Sequence, residues 1–131
     1  MEDEIVFFVE DSTKPKYDLE GRLIDFTVRI YAVAESIPGD QIGKYLCGQI
    51  IRSGTAPALL YGEAQAAESR ADFIHKMKIG LKELRETAIC LKIIQKRNYF
   101  EPKKLDPITT ECNELISIFV KSITTAKSNM K

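Results

Sequence analysis

A single histidine, three cysteines and no apolar run near the ~20 residues of a membrane span set the first limits on this 131-residue chain. One imidazole is too few for the usual histidine-based zinc sets. A di-iron bundle needs two carboxylate-x-x-histidine pairs plus two further carboxylates, all facing inward, and the chain offers only Asp72 and His75. No metal and no cofactor is therefore expected. Cys47, Cys90 and Cys112 form no CxxC and are odd in number, so they read as reduced thiols of a cytoplasmic protein. Cys90 and Cys112 fall in helical stretches with apolar neighbours, where thiols act as small hydrophobes rather than nucleophiles. Gly43, Gly48 and Gly54 match no phosphate-loop spacing. The acidic opening MEDE lacks the basic region of a signal peptide. With no catalytic constellation left, the expectation is a protein that is not an enzyme.

Net charge is also lacking, at zero overall, yet the charges are unevenly placed. Residues 1–20 hold seven acidic and two basic groups, whereas residues 70–104 hold ten Lys/Arg against four Asp/Glu. This asymmetry suits an anionic partner without the strong basicity that alone would argue for nucleic acid.

What the chain does have is helical periodicity. Leu19, Leu23, Phe26, Ile30, Val33 and Ile37 recur every three or four positions, predicting a helix over about 18–36 with Asp18 as N-cap. A second helix is expected over 41–67 with Ile42, Leu46, Ile50, Leu60, Ala64 and Ala67 on one side, interrupted by a kink or short break at Ser53-Gly54-Thr55-Ala56-Pro57. Ser69 and Asp72 resemble a capping box opening a third helix over 70–97. Asp106 as N-cap and Pro107 in the first turn open a fourth over 106–127, with Ile108, Cys112, Leu115, Phe119, Ser122 and Ala126 as its seam. Four amphipathic helices with short connections predict an all-α, antiparallel up-down-up-down four-helix bundle over residues 17–131. Residues 1–16, with IVFFV between acidic clusters, stand apart as an extended N-terminal arm.

The third helix organises the rest. With Met77 at zero and 100° per residue, Phe73, Leu81, Leu84, Ala88, Leu91 and Gln95 fall within about 40° of it as a bundle seam. Lys78, Lys82, Arg85, Lys92 and Lys96 stack beside that seam as a basic stripe, either a phosphate-binding surface or a solvated face partly neutralised by Glu83 and Glu86. Ile79, Cys90 and Ile93 lie more than about 130° from the seam centre, on what should be the polar side. Ile24, Val28 and Tyr31 widen the apolar arc of the first helix in the same way. Helices apolar on two sides call for copies that cover one another, and these six residues are the candidate oligomer interface. Tyr99 and Phe100 have two readings, stacking on bases or plugging the core. Glu63, Glu68 and Arg70 at the turn between helices two and three, and Arg52 and Thr55 at the proline, are either structural polar groups or ligand contacts.

YDLEGRLIDFTVRIY (17–31), GQIIRSGTAPALLYGEAQAAESRADFIHKMKIGLKELRET (48–87) and ECNELISIFVKSITTAK (111–127) resemble the four-helix bundle proteins encoded by intervening sequences of bacterial 23S rRNA genes. The resemblance implies a homopentameric ring and kinship to the accessory proteins of diversity-generating retroelements, which bind nucleic acid and a reverse transcriptase. It implies no catalytic residue. Two readings of function follow: a bundle that uses basic stripes repeated around a ring to engage RNA or DNA, or a scaffold for a protein partner without nucleic-acid affinity. No membrane association is expected.

Overall fold

The computed structural model describes residues 18–130, which form four helices: α1 Leu19–Glu35, α2 Gln41–Gln65, α3 Arg70–Lys96 and α4 Asp106–Ser128. The arm expected over residues 1–16 lies outside the described residues. Three of the four helices begin where a short polar side chain takes up a backbone N–H that the helix cannot satisfy. Asp18 accepts from Gly21 N at 3.0 Å, Asp40 from Gly43 N at 2.7 Å and Ser69 from Asp72 N at 3.0 Å. Helix α4 departs from expectation. Its N-cap is Leu105, with no side-chain cap bond, and Asp106 is the first helical residue. Burial of Leu105 in the core fixes this start, and its carbonyl accepts from Thr109 N at 2.9 Å. The Asp106 carboxylate still lies in the first turn, where it favours the positive end of the helix dipole. At the far end of α3, Asn98 takes φ 60°, a left-handed conformation that asparagine tolerates better than most residues.

Sequential helices run antiparallel, with α1 on α2, α2 on α3, α3 on α4, and α1 meeting α4 more sparingly. The up-down-up-down bundle is thus the fold. Its core is continuous, and includes Phe26 and Ile30 of α1, Ile50 of α2, Met77 and Leu91 of α3, and Leu115 and Phe119 of α4, all essentially inaccessible. Burying each such side chain contributes about 1.5–3 kcal/mol, and that sum holds the helices together. Two glycines set the closest approaches. A Cβ at Gly54 would lie 2.7 Å from Ile30 Cγ2, and one at Gly80 would lie 2.7 Å from Phe119 Cε2.

Of the kink or short break expected in α2, the break does not occur, since the helix runs continuously through the buried Pro57. Proline leaves a carbonyl one turn back without its N–H partner. Neighbouring hydroxyls crowd this stretch: Thr27 Oγ1 of α1 reaches Gly54 O at 3.1 Å, and Thr55 Oγ1 donates to Ile51 O at 2.6 Å. Packing of α2 against α1 on one side and α3 on the other buries the segment as helix despite its composition. Ser53 and Thr87, both fully buried, pair across α2 and α3 at 2.9 Å.

Helix α3 is rotated from the seam expected around Met77. Its buried row is Ile74, Met77, Gly80, Leu84, Thr87, Cys90, Leu91 and Ile94, turned toward α2, on which it packs most extensively. Phe73, Leu81 and Ala88 are only partly buried. Cys90 must therefore be reassigned. Expected on the outward face as part of an oligomer interface, it is 6 % exposed inside the protomer's own core. The cause is the flank it shares with Glu83, Glu86 and Thr87, which Arg52 and Ser53 of α2 tie inward. On α2, Ile42 was expected in the seam but is exposed, and Gly43 takes the buried position beside it.

Candidate nucleic-acid interface

The geometry of the basic stripe depends on where the nearby carboxylates go. Glu83 and Glu86 were expected to offer Lys78 and Lys82 intrahelical partners. Instead both are engaged by Arg52 of α2, with Nη1 to Glu83 Oε1 at 3.0 Å and Nη2 to Glu86. On the opposite side of the bundle, Arg22 of α1 grips Glu111 of α4 through Nε at 2.8 Å and Nη2 at 2.9 Å, and reaches Glu114 at 2.5 Å. The bond to Glu111 is the chief reason the Arg22 guanidinium is held more firmly protonated than usual. Lys76 pairs with Glu63 at 2.8 Å, which gives Glu63 a structural role at the turn between α2 and α3.

These pairs draw the acidic groups of α3 and α4 away from the flank the two helices share. Lys78, Lys82, Arg85, Lys92 and Lys96 are all exposed there, and none forms an ion pair with a described residue. Lys127 of α4 lies against Lys78, and that neighbour pushes the Lys127 ammonium below its ordinary range. Two ammonium groups in contact mark a place where an anion would be favoured. Ile89, 55 % exposed, continues the same row at helical spacing between Arg85 and Lys92, and Val120 of α4 is 40 % exposed. Ile89 was missed in the sequence because the apolar residues of its helix were sorted only into seam and back. The face is cationic with apolar patches.

The other sequence candidates separate. Ile24, Val28 and Tyr31 are exposed on α1, and Tyr31 Oη lies 2.7 Å from Thr55 Oγ1. On α3, Ile93 is exposed and Ile79 partly covered. Tyr99 and Phe100 pack against the core, and Arg97 sits 5.4 Å over the Tyr99 ring, so the pair closes the end of the bundle. His75 is exposed, and among the described residues no three His, Cys, Asp or Glu side chains gather into a metal-binding group. Burial pushes the Cys90 thiol up to about 11 and the Cys112 thiol up to about 12, far from the range of an activated nucleophile. Among the described residues, no helix is long and apolar enough to cross a membrane.

A helical bundle with a row of cations that form no ion pair among the described residues defines the class: a four-helix bundle without a recognisable catalytic centre among those residues. The chain belongs to the 23S rRNA-intervening sequence protein family, whose model matches residues 18–121. It is similar to a protein of unknown function from the S23 ribosomal protein family of Bacteroides thetaiotaomicron, whose crystal structure was determined at 1.70 Å. Identity is 30 %, the match covers 80 % of this chain and 97 % of that one, and the TM-score is 0.75. No curated protein matches the chain.

Proposed function

We propose that this protein is a non-enzymatic, cytoplasmic, oligomeric bundle that binds RNA or DNA through the cationic flank of α3, repeated in each copy of a ring, most simply five copies as the family resemblance suggests. The observation that carries the reading is the diversion of Glu83 and Glu86 to Arg52, and of Glu111 and Glu114 to Arg22. An exposed lysine row on a helix usually finds i, i+4 carboxylates. Here those carboxylates are spent elsewhere, so phosphates meet cations that lose no carboxylate partner among the described residues on binding. A ring converts a weak contact per copy into avidity.

The test is a fluorescence-polarisation titration with structured RNA and single-stranded DNA over a range of salt. Lys82→Glu, Arg85→Glu and Lys92→Glu together should abolish binding at low salt while the helical content stays unchanged. For single strands each neutralised phosphate contributes about −0.7 to the slope of log K against log salt, so five contacts per copy give a slope near −3.5 for each copy engaged. Affinity that survives the triple reversal places the contact elsewhere, and no binding by the folded wild type removes the reading.

The exposed apolar residues Ile24, Val28, Tyr31, Ile51 and Leu59 on α1 and α2 favour a second reading, a scaffold for a protein partner. That reading alone predicts indifference to polyanions at every salt concentration.

A further inference from the structure

We infer that the cationic flank of α3 takes the sugar-phosphate backbone of a double-stranded nucleic acid, with two groups of cations meeting the two strands on either side of one groove. The inference deepens the nucleic-acid reading and rests on it.

Spacing is the first observation. Lys78, Lys82 and Arg85 follow one another along α3, and Lys92 and Lys96 form a second group, all of them exposed. At about 1.5 Å per residue the row is about 27 Å long, with Arg85 and Lys92 about 10.5 Å apart along the axis and steps of only about 4.5–6 Å inside each group. Ile89, 55 % exposed, occupies the position in the gap, so no cation stands there. Lys127 of α4 adds its charge to the first group, against Lys78. The major groove of B-form DNA is about 12 Å wide, and A-form RNA has a wide, shallow minor groove. Cations in two groups around an apolar gap of this length can bridge such an opening. Along one continuous strand the gap would leave phosphates uncompensated.

The placement of the aromatic side chains is the second. Proteins that hold single strands without sequence preference stack bases on aromatic rings, at about 1–3 kcal/mol per base. Among the described residues the two exposed aromatics, Tyr31 and Tyr45, stand on α1 and α2, and the others are packed in or against the core. An unstacked base on this flank would meet Ile89 and Val120 but no ring. A duplex keeps its bases stacked and paired and turns its phosphates outward, where lysine and arginine position it without reading sequence.

Rigidity is the third. Helix α3 is continuous from Arg70 to Lys96, so its cations stand on one rod. A flexible single strand must be straightened along them at a cost in chain entropy, whereas a duplex, with a persistence length of about 50 nm, is straight already. A duplex also carries one charge per about 1.7 Å of axis, so a row about 27 Å long runs beside about 16 phosphates.

The experiment is fluorescence polarisation of the full chain with three labelled probes of equal length, about 20 nucleotides per strand: duplex DNA, duplex RNA and oligo-dT. At low salt the better duplex should bind at least about tenfold more tightly than oligo-dT, and about equally in two unrelated sequences. Whether that duplex is DNA or RNA identifies the source of the phosphates. Its log K against log salt should slope at about −4.5 for each copy engaged, from five contacts at about −0.9 each. Lys78→Gln with Lys82→Gln, and separately Lys92→Gln with Lys96→Gln, should each make that slope shallower by about 1.8 with helical content unchanged. Oligo-dT bound as tightly as the better duplex would overturn the inference and leave the nucleic-acid reading standing. A slope that responds to one pair only would overturn contact with two strands, and a preference above about tenfold between the two sequences would overturn recognition by the backbone. Binding to none of the three probes removes this inference and the nucleic-acid reading together.

Discussion

Gly54, Gly48 and Gly62 all lie within α2, yet alanine at each should give opposite results. In a helix interior, Gly→Ala stabilises by about 0.4–1 kcal/mol, chiefly by restricting the unfolded chain. At Gly48 and Gly62 a new methyl meets nothing within 4 Å, so the full gain should appear. At Gly54 the methyl would lie 2.7 Å from Ile30 Cγ2 and 3.2 Å from Ile30 Cβ. Ile30 is fully buried and branched next to its own backbone, so it cannot swing aside. Overpacking of this kind costs about 1–3 kcal/mol, leaving Gly54→Ala destabilised by about 0–2 kcal/mol net. The spread between Gly54→Ala and the other two variants should therefore be about 1–3 kcal/mol. Urea unfolding followed by circular dichroism at fixed protein concentration measures it. A double-mutant cycle supplies the stricter test. Ile30→Ala alone should cost about 2–5 kcal/mol, and adding Gly54→Ala should then help, because the methyl enters the space just vacated. Stabilisation by Gly54→Ala equal to that of Gly48→Ala, or strict additivity in the cycle, would refute a close contact between α1 and α2 at this point.

The buried thiols give a second expectation. With folded values pushed up to about 11 and about 12 from 9.0, Cys90 and Cys112 favour the folded state below pH 9, and that stability is lost as pH rises through the folded values. A thiol reagent at pH 8 should label the half-buried Cys47 promptly and the other two only on unfolding, and prompt labelling of all three would contradict the packing. For assembly, Ile93→Glu or Ile24→Glu should lower the mass seen by light scattering, whereas wild-type protein already near 14.8 kDa would rule out a ring.

The fold was legible because its signals are local. Asp18 and Ser69 cap the helices they were expected to cap, and the spacing of Leu23, Phe26 and Ile30 or of Leu115 and Phe119 marks the buried side without further information. What was not legible depends on neighbours. Composition at Ser53 to Pro57 argues for a kink or a break, and packing against α1 and α3 buries the segment within a continuous helix. The rotation of α3 that buries Cys90 follows from its preference for α2 over α4, a tertiary choice that periodicity cannot express. Glu83 and Glu86 look like partners for their own helix, and only the reach of Arg52 shows otherwise. Of the candidate site, the lysine row could be read directly. Its lack of carboxylate partners among the described residues, and the exposure of Ile89 within it, could not.

The Ser53–Thr87 pair, shut away from solvent between α2 and α3, acts as a latch on how far those two rods can slide. A slip of one helical turn, about 5.4 Å, would part the two and take from the Ser53 hydroxyl this buried partner, at about 1–3 kcal/mol, while Thr87 keeps its own-helix bond to Glu83 O at 2.9 Å. Only one alignment escapes it, and that alignment also brings Arg52 to the carboxylates it removes from the lysines. Two small polar groups in the interior thereby help decide which charges the outside presents.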